Sequence, residues 1–378
     1  MLEVYVNQDG KRLRCGYTTG TCAALAAQGA AKMLLGGETP QTACLMTPKG
    51  IEVKVPLCEC RCDGQEAVCA VVKDSGDDFD VTEGTLIYAR VTRRTEGFEI
   101  DGGEGVGRVT RNGLEQPVGA AAINRVPRKM IEEQLRAAAE AYDAPCGLKA
   151  EIFVPQGKEL AEKTFNPNLG IVGGISILGT SGIVEPQSLQ ALFESIKVEL
   201  KMHAACGGKK LILTPGNYGE DFLKEFWSDL QCPVVKCANF IGDCLDEAAL
   251  LGYEQVLLVG HIGKFVKLAG GIMNTHSRWA DCRAELFAAH GAFCGGTTEM
   301  TKRLMESIST DECIEILEEY GMRECVLRSL LSKIEWHLQK RAGAGMQTAA
   351  VIFSNRYGLL GQTEGAESMR KAMEVSHG

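Results

Sequence analysis

Val256-Leu-Leu-Val-Gly-His-Ile-Gly-Lys264 is a short apolar run that breaks off into glycine, histidine and lysine. Val256 to Val259 reads as a strand, and a helical stretch is expected after His261. The same pattern recurs on both sides. Leu211-Ile-Leu-Thr214 runs into Pro215-Gly-Asn-Tyr-Gly219 and a helical segment from Glu220 to Leu230. Val234-Val-Lys236 runs into Cys237-Ala-Asn239 and a helical segment ending at Leu251. Val351-Ile-Phe353 follows long helices between Asp311 and Lys340 and ends in Ser354-Asn-Arg356. Strands alternating with helices predict a small α/β domain with a parallel sheet.

Open parallel sheets bind ligands beyond the carboxyl ends of their strands. Gly216, Asn217, Asn239, Gly260, Gly263 and Lys264 stand at those ends and are the expected cofactor contacts. Turn geometry and helix capping are the plainer explanation for any one of them. His261 is a base, a hydrogen-bond donor or a cap. Lys264 and Lys267 fall in the first turns of the expected helix, where the dipole disfavours cations. A bound anion would compensate at Lys264, whereas Lys267 is expected to extend its ammonium into solvent.

The half upstream of about Gly179 reads differently. Thr18-Thr-Gly-Thr21 enters an Ala- and Leu-rich segment that stops at Gly36-Gly37, the pattern of a capped helix. Strands are expected at Ile51–Val55, Ala67–Val72, Thr85–Val91, Lys149–Val154 and Ile171–Leu178, with a helix over Asn124–Tyr142; a long helix from Pro186 to Ala205 opens the second half. This half is α+β. A chain of 378 residues is expected to divide in two, into 1–190 and 191–378.

Lys73-Asp-Ser-Gly-Asp-Asp-Phe-Asp80 crowds four carboxylates, so some must be hydrogen-bonded, neutralised or protonated. One of them is a candidate to bind ligand amides or take a proton. Gly102-Gly-Glu-Gly-Val-Gly107 fails the dinucleotide fingerprint, because Arg108 stands where its third glycine belongs. Arg108, Arg111, Arg125, Arg128 and Lys129 make a basic stretch that implies an anionic ligand, or else salt bridges within the same domain.

The net charge of -9 argues against nucleic-acid and acidic-membrane partners. No apolar run is long enough to span a bilayer, and the opening residues lack the apolar stretch of a signal peptide. A cytoplasmic location is therefore expected, with the 16 cysteines as free thiols. Cys58, Cys60 and Cys62 would share one side of a strand, but the spacing is not that of a structural zinc site, and no metal site is expected.

Cys15-Gly-Tyr-Thr-Thr-Gly-Thr-Cys-Ala-Ala24 resembles the opening signature of the cobalt-precorrin-5B C-1-methyltransferase family. The acidic stretch from Val72 to Thr82 is similar to that family too, with Phe79 where proline would be expected. Gly102–Thr110, Pro117–Ile131, Gly179–Pro186, Pro215–Gly219, Asn239–Gly242, Gly260–Lys264 and Gly271–Asp281 continue the likeness in order. The resemblance implies methyl transfer from S-adenosylmethionine to C-1 of cobalt-precorrin-5B, giving cobalt-precorrin-6A by the oxygen-independent route. Cobalt enters as part of the tetrapyrrole substrate. The implied fold is an α+β domain like a permuted ribosomal-protein S5 domain 2, followed by a small α/β domain with a parallel sheet. The first domain is expected to bind substrate carboxylates and the second S-adenosylmethionine.

For a macrocycle fringed with acetates and propionates, the expected substrate contacts are Thr18, Thr19, Gly20, Thr21, Asp74, Arg108, Arg111, Arg125, Arg128, Thr180 and Ser181. If a proton must leave, Asp78 or His261 is expected to take it. A corrinoid-binding or delivery protein without methyl transfer is the alternative, and a phosphoryl-transfer enzyme is disfavoured by the missing phosphate-loop motifs.

Overall fold

The Thr- and Ala-rich segment forms helix α1 (Thr19–Gly36), and almost every residue of it is buried. Thr18 caps its start by accepting the Thr21 N–H at 3.2 Å, and Gly37 ends it in the left-handed conformation with its N–H on Met33. A helix apolar all round belongs in an interior, and small alanines let neighbours close on every side. The computed structural model describes residues 2–8, 10–167 and 169–374. The chain divides into two units, one running to Leu189 and one starting at Gln190.

In the N-terminal unit an antiparallel pair, β1 (Tyr5–Gln8) and β2 (Lys11–Arg14), precedes α1. A second pair, β3 (Thr42–Met46) and β4 (Glu52–Pro56), follows it. The main sheet has five strands, β5 (Cys58–Cys62), β6 (Glu66–Val72), β7 (Leu86–Arg94), β8 (Phe98–Gly102) and β9 (Gly147–Phe153), in the order β5-β6-β7-β9-β8. Its pairings are antiparallel except β9 with β8. α1 packs on this sheet together with α2 (Arg125–Ala141). The Gln28 side chain of α1 acts as an extra strand partner, bonding both the N–H and the C=O of Cys44 on β3.

Two local expectations fail for backbone reasons. Ile171–Leu178 is not one strand. It makes only the two-residue ladders Ile171–Val172 and Gly174–Ile175, broken at Gly173, whose φ is 84°. Glu59 has a φ of 48° within a bulge, so the alternation that would align Cys58, Cys60 and Cys62 is lost. Among the described residues no group of three or more His, Cys, Asp or Glu side chains is placed to hold a metal ion.

The C-terminal unit opens with α3 (Leu189–Ala205). Its sheet contains β10 (Lys210–Thr214), β11 (Val234–Lys236), β12 (Gln255–His261), β13 (Gln347–Ser354) and β14 (Gly358–Gln362). The order is β11-β10-β12-β13-β14, parallel except for the last pairing. Helix α4 (Asn217–Phe226) follows β10, and α5 (Ile241–Leu250) follows β11. One face of the sheet sets Ile212, Leu257, Val259, Ala349 and Val351 against Phe222 and Leu223 of α4 and against Ala366 and Met369. Each of the larger side chains, fully buried, contributes about 1.5–3 kcal/mol, and the alanines less. Further helices are α6 (Ile262–Phe265), α7 (Arg283–Phe293), α8 (Thr298–Glu306), α9 (Thr310–Glu319) and α10 (Arg323–Ala342). Among the described residues no helix is long and apolar enough to cross a membrane.

The glycine-rich stretch after β8 is a packing device. Gly105 has a φ of 70°, and a Cβ there would fall on the carbonyl oxygen of Val154. Gly105→Ala is therefore expected to cost roughly 2 kcal/mol or more of stability, because it combines left-handed strain with overlap. Urea unfolding with and without the substitution measures it.

Candidate active site

Most of the polar groups singled out in the N-terminal unit are spent on the fold. The hydroxyl of Thr19 donates to Leu178 C=O and accepts its N–H, and that of Thr21 donates to Gly182 C=O at 2.7 Å. Gly20 N–H bonds Leu178 C=O at 3.0 Å. The start of α1 is thus fastened to the 178–182 segment, which engages the Thr19 and Thr21 hydroxyls and the Gly20 N–H that were expected to meet a ligand anion. Ser181 bonds Ile183 locally, whereas Thr180 on the same segment is exposed.

The acidic turn is neutralised from within. Asp74 makes a two-pronged pair with Arg14 at 2.7 Å, and this pairing, against opposing burial, holds its carboxyl below the usual range. Lys73, only 1% exposed, places its ammonium 3.2 Å from Asp80 and 2.6 Å from the Ser75 hydroxyl. Burial pushes the Asp80 carboxyl up, but Lys73 and the Thr82 donors win and pull it down. Asp78 accepts the Gln187 N–H at 2.9 Å.

The basic stretch divides in two. Arg128 gives its guanidinium to the carbonyls of Ile123, Ile100 and Ala121, and burial lowers its pKa. Arg108 is held by both oxygens of Asp101 and by Gly102 C=O. Both of these arginines, expected to meet substrate carboxylates, are bonded within the fold. Arg111 is exposed, and the Arg125 side chain is 84% exposed, with Glu115 only 3.6 Å away as a loose partner. Arg125 begins α2 next to Asn124, whose N–H bonds Ile177 C=O, so it stands at the base of the segment carrying Thr180.

In the C-terminal unit the carboxyl ends of the parallel strands share one edge. The order β11-β10-β12 reverses direction between β10 and β12, the switch point at which the loops of such sheets diverge and a ligand crevice is expected. Gly216 lies in it with φ 157° and ψ -166°, a conformation reserved for glycine, and nothing lies within 4 Å of where a Cβ would be. Asn217 and Tyr218 follow it, both exposed. Lys264 spans the crevice: its Nζ donates to Pro215 C=O at 3.0 Å and more weakly to Ala238 C=O at 3.5 Å. Burial lowers its pKa, partly offset by Cys237. Its acceptors are neutral carbonyls, so its charge is not matched by them. Gly260 makes room for the Phe265 ring, which a Cβ there would strike.

Lys267 is corrected outright. It is 2% exposed, and its ammonium bonds Thr275 C=O at 3.1 Å and Ala280 C=O at 2.9 Å with Asp281 at 3.7 Å. The 3-10 turn Val266–Gly270 after α6 carries it inward, and the 271–281 loop folds back over it. Asn239 is bound to the same loop, its side-chain oxygen accepting the Thr275 hydroxyl at 3.1 Å.

His261 caps α6. Its Nδ1 accepts the Gly263 N–H at 3.1 Å, which assigns the proton of the neutral ring to Nε2. It therefore presents a donor rather than a base. Asp311, at the start of α9, was missed from the sequence, where it marks only the beginning of the long helices. Its carboxylate accepts the Ser354 hydroxyl at 2.8 Å from the end of β13. Burial lowers the His261 pKa and the Asp311 charge opposes it. His261 is expected to titrate below the ordinary value of 6.5, and Asp311→Asn to lower it further. The folded ring resists protonation, so this share of stability is complete above the unfolded value and is lost as pH falls below it. Proton-nitrogen NMR of the imidazole resonances follows both shifts.

The CbiD family profile matches residues 6–186, and the CbiD C-terminal domain profile matches residues 274–364. A protein from Ruminiclostridium cellulolyticum named cobalt-precorrin-5B C(1)-methyltransferase is 47% identical over 94% of this chain and 92% of its own length. One of the same name from Alkaliphilus metalliredigens is 42% identical over 95% of this chain and 94% of its own. A crystal structure of a cobalamin biosynthesis protein (cbiD) from Archaeoglobus fulgidus is 30% identical, covering 75% of this chain and 88% of that one, with a TM-score of 0.41. With identity this high along nearly its whole length, the chain belongs to the CbiD family.

Proposed function

We propose that this protein transfers a methyl group from S-adenosylmethionine to C-1 of cobalt-precorrin-5B in cobalamin biosynthesis. The observation that carries the reading is 47% identity, over 94% of the chain, with a protein named for that reaction. S-adenosylmethionine supplies an electrophilic methyl group on a sulfonium. Cobalt belongs to the substrate.

The crevice at the strand-order reversal suits that donor. Gly216 leaves backbone approach open, Asn217 adds an exposed amide, and Lys264 brings a cation to neutral surroundings that a ligand carboxylate would complement. His261 contributes an Nε2 donor and Asp311 an acceptor beside it. In the N-terminal unit Arg111, Arg125 and Thr180 are the exposed groups suited to substrate carboxylates. Helices α1 and α2 packed on a mixed sheet support the likeness of that unit to a permuted S5 domain 2. The chain's task is to align donor and acceptor carbon and keep water out, with no strong base required. Should a proton have to leave, Asp78 is the acceptor, since His261 offers a donor.

Lys264→Met keeps the apolar stem and removes the charge. Losing a charge-assisted bond of roughly 1.5–3 kcal/mol is expected to weaken S-adenosylhomocysteine binding about tenfold or more in calorimetry. Wild-type affinity would remove Lys264 from the site. A wild-type protein that binds the corrinoid but no S-adenosylhomocysteine would be a carrier, and the enzymatic reading would fall. Arg125→Glu is expected to weaken cobalt-precorrin-5B binding about tenfold while leaving S-adenosylhomocysteine binding alone. Unchanged substrate affinity would exclude Arg125.

A further inference from the structure

Methyl transfer requires the acceptor carbon to lie against the donor in a narrow range of geometries. With the donor at the carboxyl edge of the C-terminal sheet, the flat face of the macrocycle has to rest there too. What the C-terminal unit offers for a flat conjugated face is a question answered by its exposed aromatic rings.

Trp279 stands out among them. It is 65% exposed, on a loop fastened at both ends to this edge of the sheet. At one end Thr275, 3% exposed, donates its N–H to Asn239 C=O at 3.0 Å and its hydroxyl to the Asn239 side chain. Asn239 itself follows β11. At the other end Ala280 C=O accepts the Lys267 ammonium, which also holds Thr275 C=O. Between the ends the loop bonds to itself: His276 N–H to the Asn274 side chain, Arg278 N–H to His276 Nδ1, and Trp279 N–H to His276 C=O at 3.0 Å.

Burying a lysine is costly unless its charge is satisfied. Here Lys267 satisfies it by clamping the two ends of a loop whose crown leaves a tryptophan in water. The other tryptophans are engaged by their own neighbours. Trp227 meets the Phe222 ring edge-on with Arg370 over its face, and Trp336 has Lys333 and Lys340 over its ring. Among the described residues neither a ring nor a cation covers Trp279. The loop backbone that carries the indole is already held, and an uncovered indole has only two side-chain torsions to fix when a flat ligand stacks on it.

We propose that Trp279 is a stacking platform for the tetrapyrrole macrocycle, held in place by Lys267, Thr275 and Asn239. This rests on the donor site proposed above. The test uses the full-length protein, S-adenosylhomocysteine, and cobalt-precorrin-5B handled without oxygen, with affinities from calorimetry. Trp279→Ala is expected to weaken cobalt-precorrin-5B binding about tenfold or more, by analogy with loss of a base-stacking ring. Trp279→Phe, which keeps a flat face, is expected to restore most of that loss. S-adenosylhomocysteine affinity and melting temperature should match wild type in both variants. Unchanged corrinoid affinity in Trp279→Ala overturns the proposal. So does an equal loss with phenylalanine, or a loss of S-adenosylhomocysteine affinity as large as that for the corrinoid, which would make the ring a donor contact. Lys264→Met separates the two readings. If it loses S-adenosylhomocysteine affinity while Trp279→Ala binds the corrinoid normally, the stacking platform alone is wrong. If wild type binds no cobalt-precorrin-5B, both fall.

Discussion

Parallel pairing of β10 with both of its neighbours is the constraint on which the C-terminal unit depends. Parallel strands deliver all their carboxyl ends to one edge, and the winding 2-1-3 forces the chains leaving β10 and β12 apart. The loops at 215–218 and 260–264 therefore lie on either side of that switch point. Lys264 crosses it because the short helix after β12 turns its side chain toward carbonyls beyond the ends of β10 and β11. A cation so placed is costly to bury against neutral carbonyls alone, and burial accordingly lowers the Lys264 pKa.

The same desolvation cost governs the charges elsewhere. Arg128 sits on three carbonyls, Lys73 on Asp80 and Ser75, and Lys267 on two carbonyls and Asp281. Breaking such an arrangement by removing one partner leaves a buried group unsatisfied. These residues hold the loops they bond in one conformation. A charge that is fully used by its neighbours has little left for a ligand. That leaves Arg111 and Arg125, whose exposure means they have lost little hydration before a carboxylate arrives.

Legibility in the sequence followed the range of the interaction. α1 was plain because its Thr18 cap, its alanines and Gly36-Gly37 act within a few residues of each other. The parallel strands of the second half were plain because burial on both faces demands unbroken apolar runs. The bulge at Glu59 and the break at Gly173 were not, since each depends on a partner strand remote in sequence. Charge is the extreme case. Arg108 and Arg111 lie three residues apart in the same basic stretch, yet one is locked to Asp101 and the other is open to solvent. Lys267 read as a surface residue because helical spacing cannot anticipate a loop folding back from residue 281 to cover it. Trp279 and Asp311 carried no local signal, as their meaning comes from the strand ends that long-range packing brings near.

A net charge of -9 is awkward for a protein whose proposed substrate is itself fringed with carboxylates. Attraction over long distances is not available, but the repulsion is also short-lived, because salt screens exposed charges beyond about 8 Å at physiological ionic strength. Capture must then come from contacts inside that range. Arginines with slack partners supply directional bonds to the fringe, where each carboxylate keeps part of its hydration. A stacked indole acts on the apolar face and is indifferent to the sign of the surrounding field. Contacts of these short-range kinds, and not the field of the whole protein, are what a polyanionic substrate requires of an acidic enzyme.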